Sequence, residues 1–184
     1  MSLAERKFIY FVVFITGMTA LAVEMSASRL IGNVYGNSNL VWASIIGLIL
    51  IFLAAGYFVG GNFADRFPSL TFMYQLLGWG GFTTGLIPLV SQPILRLASQ
   101  AFDELNIGIL FGSFSVVLIL FSIPVTLLGT ISPFAIRLLV EDRTSSGKTA
   151  GRLYALSTLG SFLGAFLPVL VLIPLIGTYR TFYL

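Results

Sequence analysis

The chain has 184 residues, of which 57% are hydrophobic and 9% charged, with a formal net charge of +3. Soluble domains carry about 25% charged residues, so lipid must solvate part of this surface and a soluble fold is excluded. There is no Cys and no His, which removes disulfides, thiolate or imidazole metal sites, Ser-His triads and Cys nucleophiles. The basic residues stand at segment ends rather than in a patch interleaved with aromatics, so nucleic acid is not an expected partner. No metal site or cofactor is expected.

The expected fold class is an all-α integral membrane protein, a bundle of five transmembrane helices in a single domain. Glu5-Arg6-Lys7 precede the first apolar run, residues 8–31. A signal peptide is the competing reading, because Ala20-Leu21-Ala22 mimics a cleavage site. The run is longer than an h-region, which favours a first helix about 20 residues or more in length. Thr16, Gly17, Ala20, Glu24, Ala27 and Ser28 recur at three- and four-residue spacing and form one small, polar face. An ionised Glu24 inside this run costs about 2.5–3.5 kcal/mol at the bilayer centre and less towards an end, so it should face protein or water. It is either a substrate or ion carboxylate or a structural partner for a donor on another helix. Arg29, near the helix end, can snorkel to the interface; with Glu24 it forms a candidate substrate-binding pair, although their spacing of five precludes a clean i,i+4 contact.

After a Gly/Asn-rich turn, a second helix is expected over 40–62, with the pair Gly56/Gly60, and it ends in Gly61-Asn62-Phe63-Ala64-Asp65-Arg66. This is either an ordinary acidic–basic helix stop or a loop in which Asp65, at a helix end, bridges to a neighbouring helix. The third helix is placed at 70–90, with Gly81/Gly85 as a close-packing pair. Residues 93–105 read as a separate interfacial amphipathic helix, with Ile94, Leu97, Ala98, Ala101 and Leu105 on one face. The fourth helix spans 106–128, with Gly108/Gly112; Pro124 and Pro133 mark either a break or, the favoured reading, a kink in one helix reaching 139. A hydrophilic loop, 141–148, precedes the fifth helix at 151–177, which carries Gly160/Gly164, Pro168 and Pro174. Small-xxx-small pairs of this kind let helix backbones approach closely. Residues 179–184 resemble the opening of a sixth span.

With the N-terminus inside, seven of the ten basic residues fall on the inner side and Arg29, Arg96 and Arg180 on the outer, so the N-terminus is expected to be cytoplasmic. Gly56-Tyr-Phe-Val-Gly60 resembles Gly160-Ser-Phe-Leu-Gly164. That match suggests a 3+3 inverted repeat, in which the second and fifth helices are equivalent and a sixth is expected.

The Gly61–Arg66 pattern, G-x-x-x-D-R, resembles a loop of the major facilitator superfamily. Three stretches together resemble one family. They are residues 17–36 (a small-residue helix, an acidic residue, then S-R-L-I-G-x-x-Y-G), residues 56–66 (G-x-x-x-G-G-x-x-A-D-R), and residues 151–177 (G-R-L-Y-A-L-S-T-L-G-S-x-L-G-A-F-L-P, then I-P-L-I-G). They are similar to the transmembrane domain of membrane-bound spermidine synthase-like proteins, also described as fused major-facilitator/spermidine synthase proteins. Ser157 stands where that pattern has Asn. The resemblance implies a soluble aminopropyltransferase-like domain, with an α/β fold that holds the decarboxylated S-adenosylmethionine donor. These residues contain no strand followed by a Gly-rich turn and an acidic residue, so aminopropyl transfer is not assigned to them. Two functions are expected to compete: a membrane scaffold or subunit for such a domain or a partner complex, and a transport module for a polyamine or other small cation. An accessory subunit of an unrelated membrane complex is a third. The expected partners are the lipid bilayer, other membrane subunits or the soluble domain, and a second copy of the chain.

Overall fold

The computed structural model describes residues 1–105, 108–140 and 146–184, with the side chains of 101–105 outside that description. Residues 106–107 and 141–145, which hold the expected start of the fourth helix and most of the hydrophilic loop, also lie outside it. The described chain is helical, with no strand among the described residues. Its elements are α1 (Leu3–Tyr35), α2 (Asn39–Arg66), α3 (Leu70–Leu105), α4 (Ile109–Leu139), α5 (Ser146–Leu167), a π-helical turn (Pro168–Leu172), α6 (Ile173–Ile176) and α7 (Thr178–Thr181).

The long helices start earlier or end later than their apolar runs because local chemistry holds the ends. At the start of α1 the Ser2 backbone N–H donates to Glu5 Oε2 at 2.7 Å, and the Glu5 N–H donates to Ser2 Oγ at 3.2 Å. This reciprocal capping box satisfies two N–H groups that the first turn leaves open. Ser38 and Ser69 cap α2 and α3 in the same sense, accepting from the Val41 and Phe72 N–H groups. Gly36 ends α1 with φ +76°, and Gly177 ends α6 with φ +85°; only glycine adopts that region without steric cost.

Four of the described helices are long and apolar enough to cross a membrane: α1, α2, α4 and the continuous run Ser146–Ile176. α3 falls outside that set, because Gln75 and the glycines at 78, 80, 81 and 85 dilute its apolar run.

Two apolar clusters fix the directions of the helices. One joins Ile9 and Val13 of α1 to Ala64 of α2, Met73 of α3, Phe134 of α4 and Leu153 of α5. The other joins Val23 and Ile31 of α1 to Ile45 of α2, Ile87 and Leu95 of α3, Phe121 of α4, and Phe182. Hence α1, α3 and α5 run one way and α2 and α4 the other. Arg6, Lys7, Arg66, Arg137, Lys148 and Arg152 belong to the first end of the bundle, and Arg29, Arg96 and Arg180 to the second.

Two expectations change. The break placed between 90 and 93 is absent: α3 continues through Pro88 and Pro93 to Leu105. The stretch expected at an interface instead packs on the bundle through Ile94, Leu95 and Ala98, while Leu97 is 66% exposed. Its apolar stripe is thus rotated from the one the spacing suggests. The fourth helix is continuous through Pro124 and Pro133 to Leu139, which agrees with a single element rather than a broken one. After Gly177, Thr178–Thr181 make the short α7, and the Phe182 ring lies 6.3 Å from that of Phe121.

Candidate functional site

Glycine contacts organise the bundle into two locked pairs. α2 packs most extensively on α4, and α1 on α5. A Cβ built on Gly60 would stand 2.6 Å from Thr130 Cα, and one on Gly56 would meet the Thr126 carbonyl oxygen and stand 2.9 Å from Gly129 Cα. On α5, a Cβ at Gly160 would meet the Phe14 carbonyl oxygen and stand 3.0 Å from the Met18 nitrogen; one at Gly164 would meet the Met18 carbonyl oxygen. These obstacles are mostly backbone atoms, so no side-chain rotation relieves them. The Gly160/Gly164 face expected to meet another span of the same chain does so. Exchanging α1 with α4 and α2 with α5 turns one lock into the other, and both locks join helices that run in parallel.

Of the other expected packing glycines, Gly112 lies against Tyr35, with Cε1 2.6 Å from a built Cβ. A Cβ built on Gly81, Gly85 or Gly108 meets nothing within 4 Å among the described residues. Gly81 is exposed and Gly85 half-buried on α3, and Gly108 is the N-cap of α4. Gly61 makes only an ordinary contact with Pro133. Spacing did not single out Gly129, which packs on Leu53 and Gly56, or the meeting of Gly17 with Ser157. Ser161 Oγ donates to the Gly17 carbonyl oxygen at 3.1 Å. Glycine opposite serine at this crossing shows why the small Ser157 suits the position: a larger side chain would press on α1.

The helix-end motif forms one ion pair. Arg137 Nε donates to Asp65 Oδ1 at 2.9 Å, joining the ends of α2 and α4, with the two side chains 50% and 77% exposed. Asp65 therefore bridges to a neighbouring helix, as its position suggests. Arg66 does not share that contact; its guanidinium carbon lies 5.5 Å from the Phe67 ring centroid.

Glu24 is 8% exposed and faces the interior from the middle of α1. It makes no hydrogen bond or ion pair with any described residue. Arg29 is exposed, and no hydrogen bond or ion pair joins it to Glu24.

A separate cavity of about 170 Å³ lies beside α1 between Met18 and Ser26. α3, α5, the π-helical turn and α7 contribute its other walls, including Thr84, Gly164, Pro168 and Phe182. Glu24 is not among its lining residues. The α1–α5 lock brings those two walls of the cavity together, and the π-helical turn contributes another.

No protein-family model, curated protein or solved structure matches this chain.

Proposed function

We propose that the chain is a membrane-embedded scaffold or subunit that holds an aminopropyltransferase-like domain or partner complex at the bilayer. The observation that carries this reading is the pair of backbone-tight glycine locks, which make a rigid platform from helices long and apolar enough to cross a membrane. Large apolar side chains face outward on every long helix, Phe58, Trp79, Phe111 and Leu170 among them, each at least 60% exposed, a surface that lipid solvates at little cost. In this reading α3 also spans, giving five crossings, because its lower apolarity is offset by contact with α4. Gathering Arg6, Lys7, Arg66, Arg137, Lys148 and Arg152 at one end supports a cytoplasmic N-terminus. The sequence resemblance given above supplies the partner's chemistry.

The test is purification in mild detergent. A stoichiometric α/β partner with aminopropyltransferase activity is expected to remain with the chain. A chain that purifies alone and leaves that activity in the soluble fraction sinks the reading.

A second reading, transport of a polyamine or other small cation, rests on Glu24, a buried carboxyl with no described partner. It requires spermidine uptake into proteoliposomes that is lost in Glu24→Gln. Absence of uptake by the purified protein, as monomer or homo-oligomer, rules it out.

A further inference from the structure

We infer that the cavity beside Met18–Ser26 is a binding site for a neutral amphiphile, an apolar body carrying one hydrogen-bonding group such as a hydroxyl. Three observations lead there. Ser26 is 1% exposed, lines the cavity, and makes no hydrogen bond with any described residue. Thr19, two turns earlier on the same face of α1, also lines it and likewise makes none. A helical serine or threonine ordinarily returns its hydroxyl to a carbonyl three or four residues back, as Thr16 and Thr84 do here to Val12 and Gly80. Two unspent hydroxyls on one wall are therefore a polar locus awaiting a partner. Pro168, another lining residue, has no N–H and so cannot give the Gly164 carbonyl the hydrogen bond of a regular helix. The π-helical turn that begins at Pro168 is itself a feature frequent at functional sites.

The rest of the lining decides the ligand class. No charged side chain is among the described residues that form it, and apolar groups such as Leu167, Leu172 and Phe182 make up most of the wall. An ion or a polyamine would lie there without a counter-charge, at a cost that burial makes prohibitive. A wholly apolar guest would leave the hydroxyls unpaired. A volume of this order, about 150 Å³, accommodates a guest of benzene size, so a short chain or a single ring with one hydroxyl fits. The site is independent of both functional readings given above.

A diazirine-bearing octanol tests the site, with the corresponding diazirine-bearing octane as its control, followed by mass-spectrometric mapping of the label. The alcohol probe is expected to label Met18, Thr19, Leu172 and Phe182, and tenfold excess octanol to reduce that labelling at least fivefold. Removing both hydroxyls in a Thr19→Val/Ser26→Ala variant should lower alcohol labelling about fivefold and change hydrocarbon labelling less than twofold. Ala22→Phe should fill the cavity and abolish both. Should that larger change prevent folding, the hydroxyl-only variant still decides the question, since Thr19→Val is nearly isosteric and Ser26→Ala deletes a single oxygen. Neutral lipid extracted at one per chain and displaced by octanol would identify a membrane lipid as the natural source. Labelling without such a lipid would identify a free alcohol. Alcohol labelling spread equally over the outward Trp79 and Phe82, or unchanged in the hydroxyl-free variant, overturns the proposal.

Discussion

Gly160→Ala isolates the α1–α5 lock. The added methyl meets the Phe14 carbonyl oxygen and stands 3.0 Å from the Met18 nitrogen, whereas non-bonded heavy atoms settle at about 3.5–4.0 Å. Both obstacles are helix backbone, so the two helices must separate by roughly 0.5–1 Å, a gap that forfeits about a quarter to a half of the dispersion energy at each contact. Overpacking of this kind costs about 1–3 kcal/mol. The control is Gly81→Ala, whose methyl has nothing within 4 Å and which should gain about 0.5–1 kcal/mol from the better helix former. Titration with SDS in mixed micelles, followed by circular dichroism, reads both. The expected result is a lower midpoint for Gly160→Ala and an equal or higher one for Gly81→Ala. Equal midpoints for the two would refute the claim that α5 is held by backbone proximity to α1.

Three further outcomes follow from the same geometry. A double-mutant cycle on Asp65→Asn and Arg137→Gln should give a coupling of only about 0.2–1 kcal/mol, shrinking as salt rises, because both side chains are at least half exposed. Glu24→Leu should raise stability in the same titration by up to about 3 kcal/mol, since it removes a buried carboxyl that has no described partner; a loss of stability would mean that Glu24 is paired. Phe182→Ala should destabilise by less than the about 3–5 kcal/mol typical of aqueous cores, because lipid already solvates apolar surface. That ring is 7% exposed and packs on the apolar core, so a midpoint identical to that of the parent would contradict its placement.

Residues 56/60 and 160/164 were legible in the sequence as close-packing pairs, because two glycines one turn apart on an apolar helix leave a flat face with few other uses. Their partners were not legible, since spacing gives a face but not its rotation about the bundle. The same limit explains Gly81/Gly85, an identical spacing that meets no described neighbour, whereas Gly80 of the same helix packs on Leu127 and Leu128. It also explains α3, where Leu95 rather than Leu97 is buried. Proline misled in a second way. The boundary was placed just before Pro93, but a helix can pass through a proline where neighbouring groups satisfy the freed carbonyls. The Asp65–Arg137 pair spans 72 positions, and nothing local in the sequence links them. The cavity hydroxyls were likewise unreadable: Thr19 and Ser26 become notable only once Thr84, Pro168 and Phe182 close over them.

The lock between α1 and α5 also sets a timetable. The hydrogen bond from Ser161 to Gly17 closes a loop of 144 positions. At about 5–20 residues per second, a ribosome needs roughly 7–30 s to deliver the second half of that contact. For that interval α1 is complete but its glycine edge has no mate, and the carboxyl of Glu24 waits on the same helix. The α2–α4 lock, whose Gly60 and Thr130 are closer in the chain, can form well before. Biogenesis therefore proceeds from the middle of the chain outward, with the first helix made among the last to be seated.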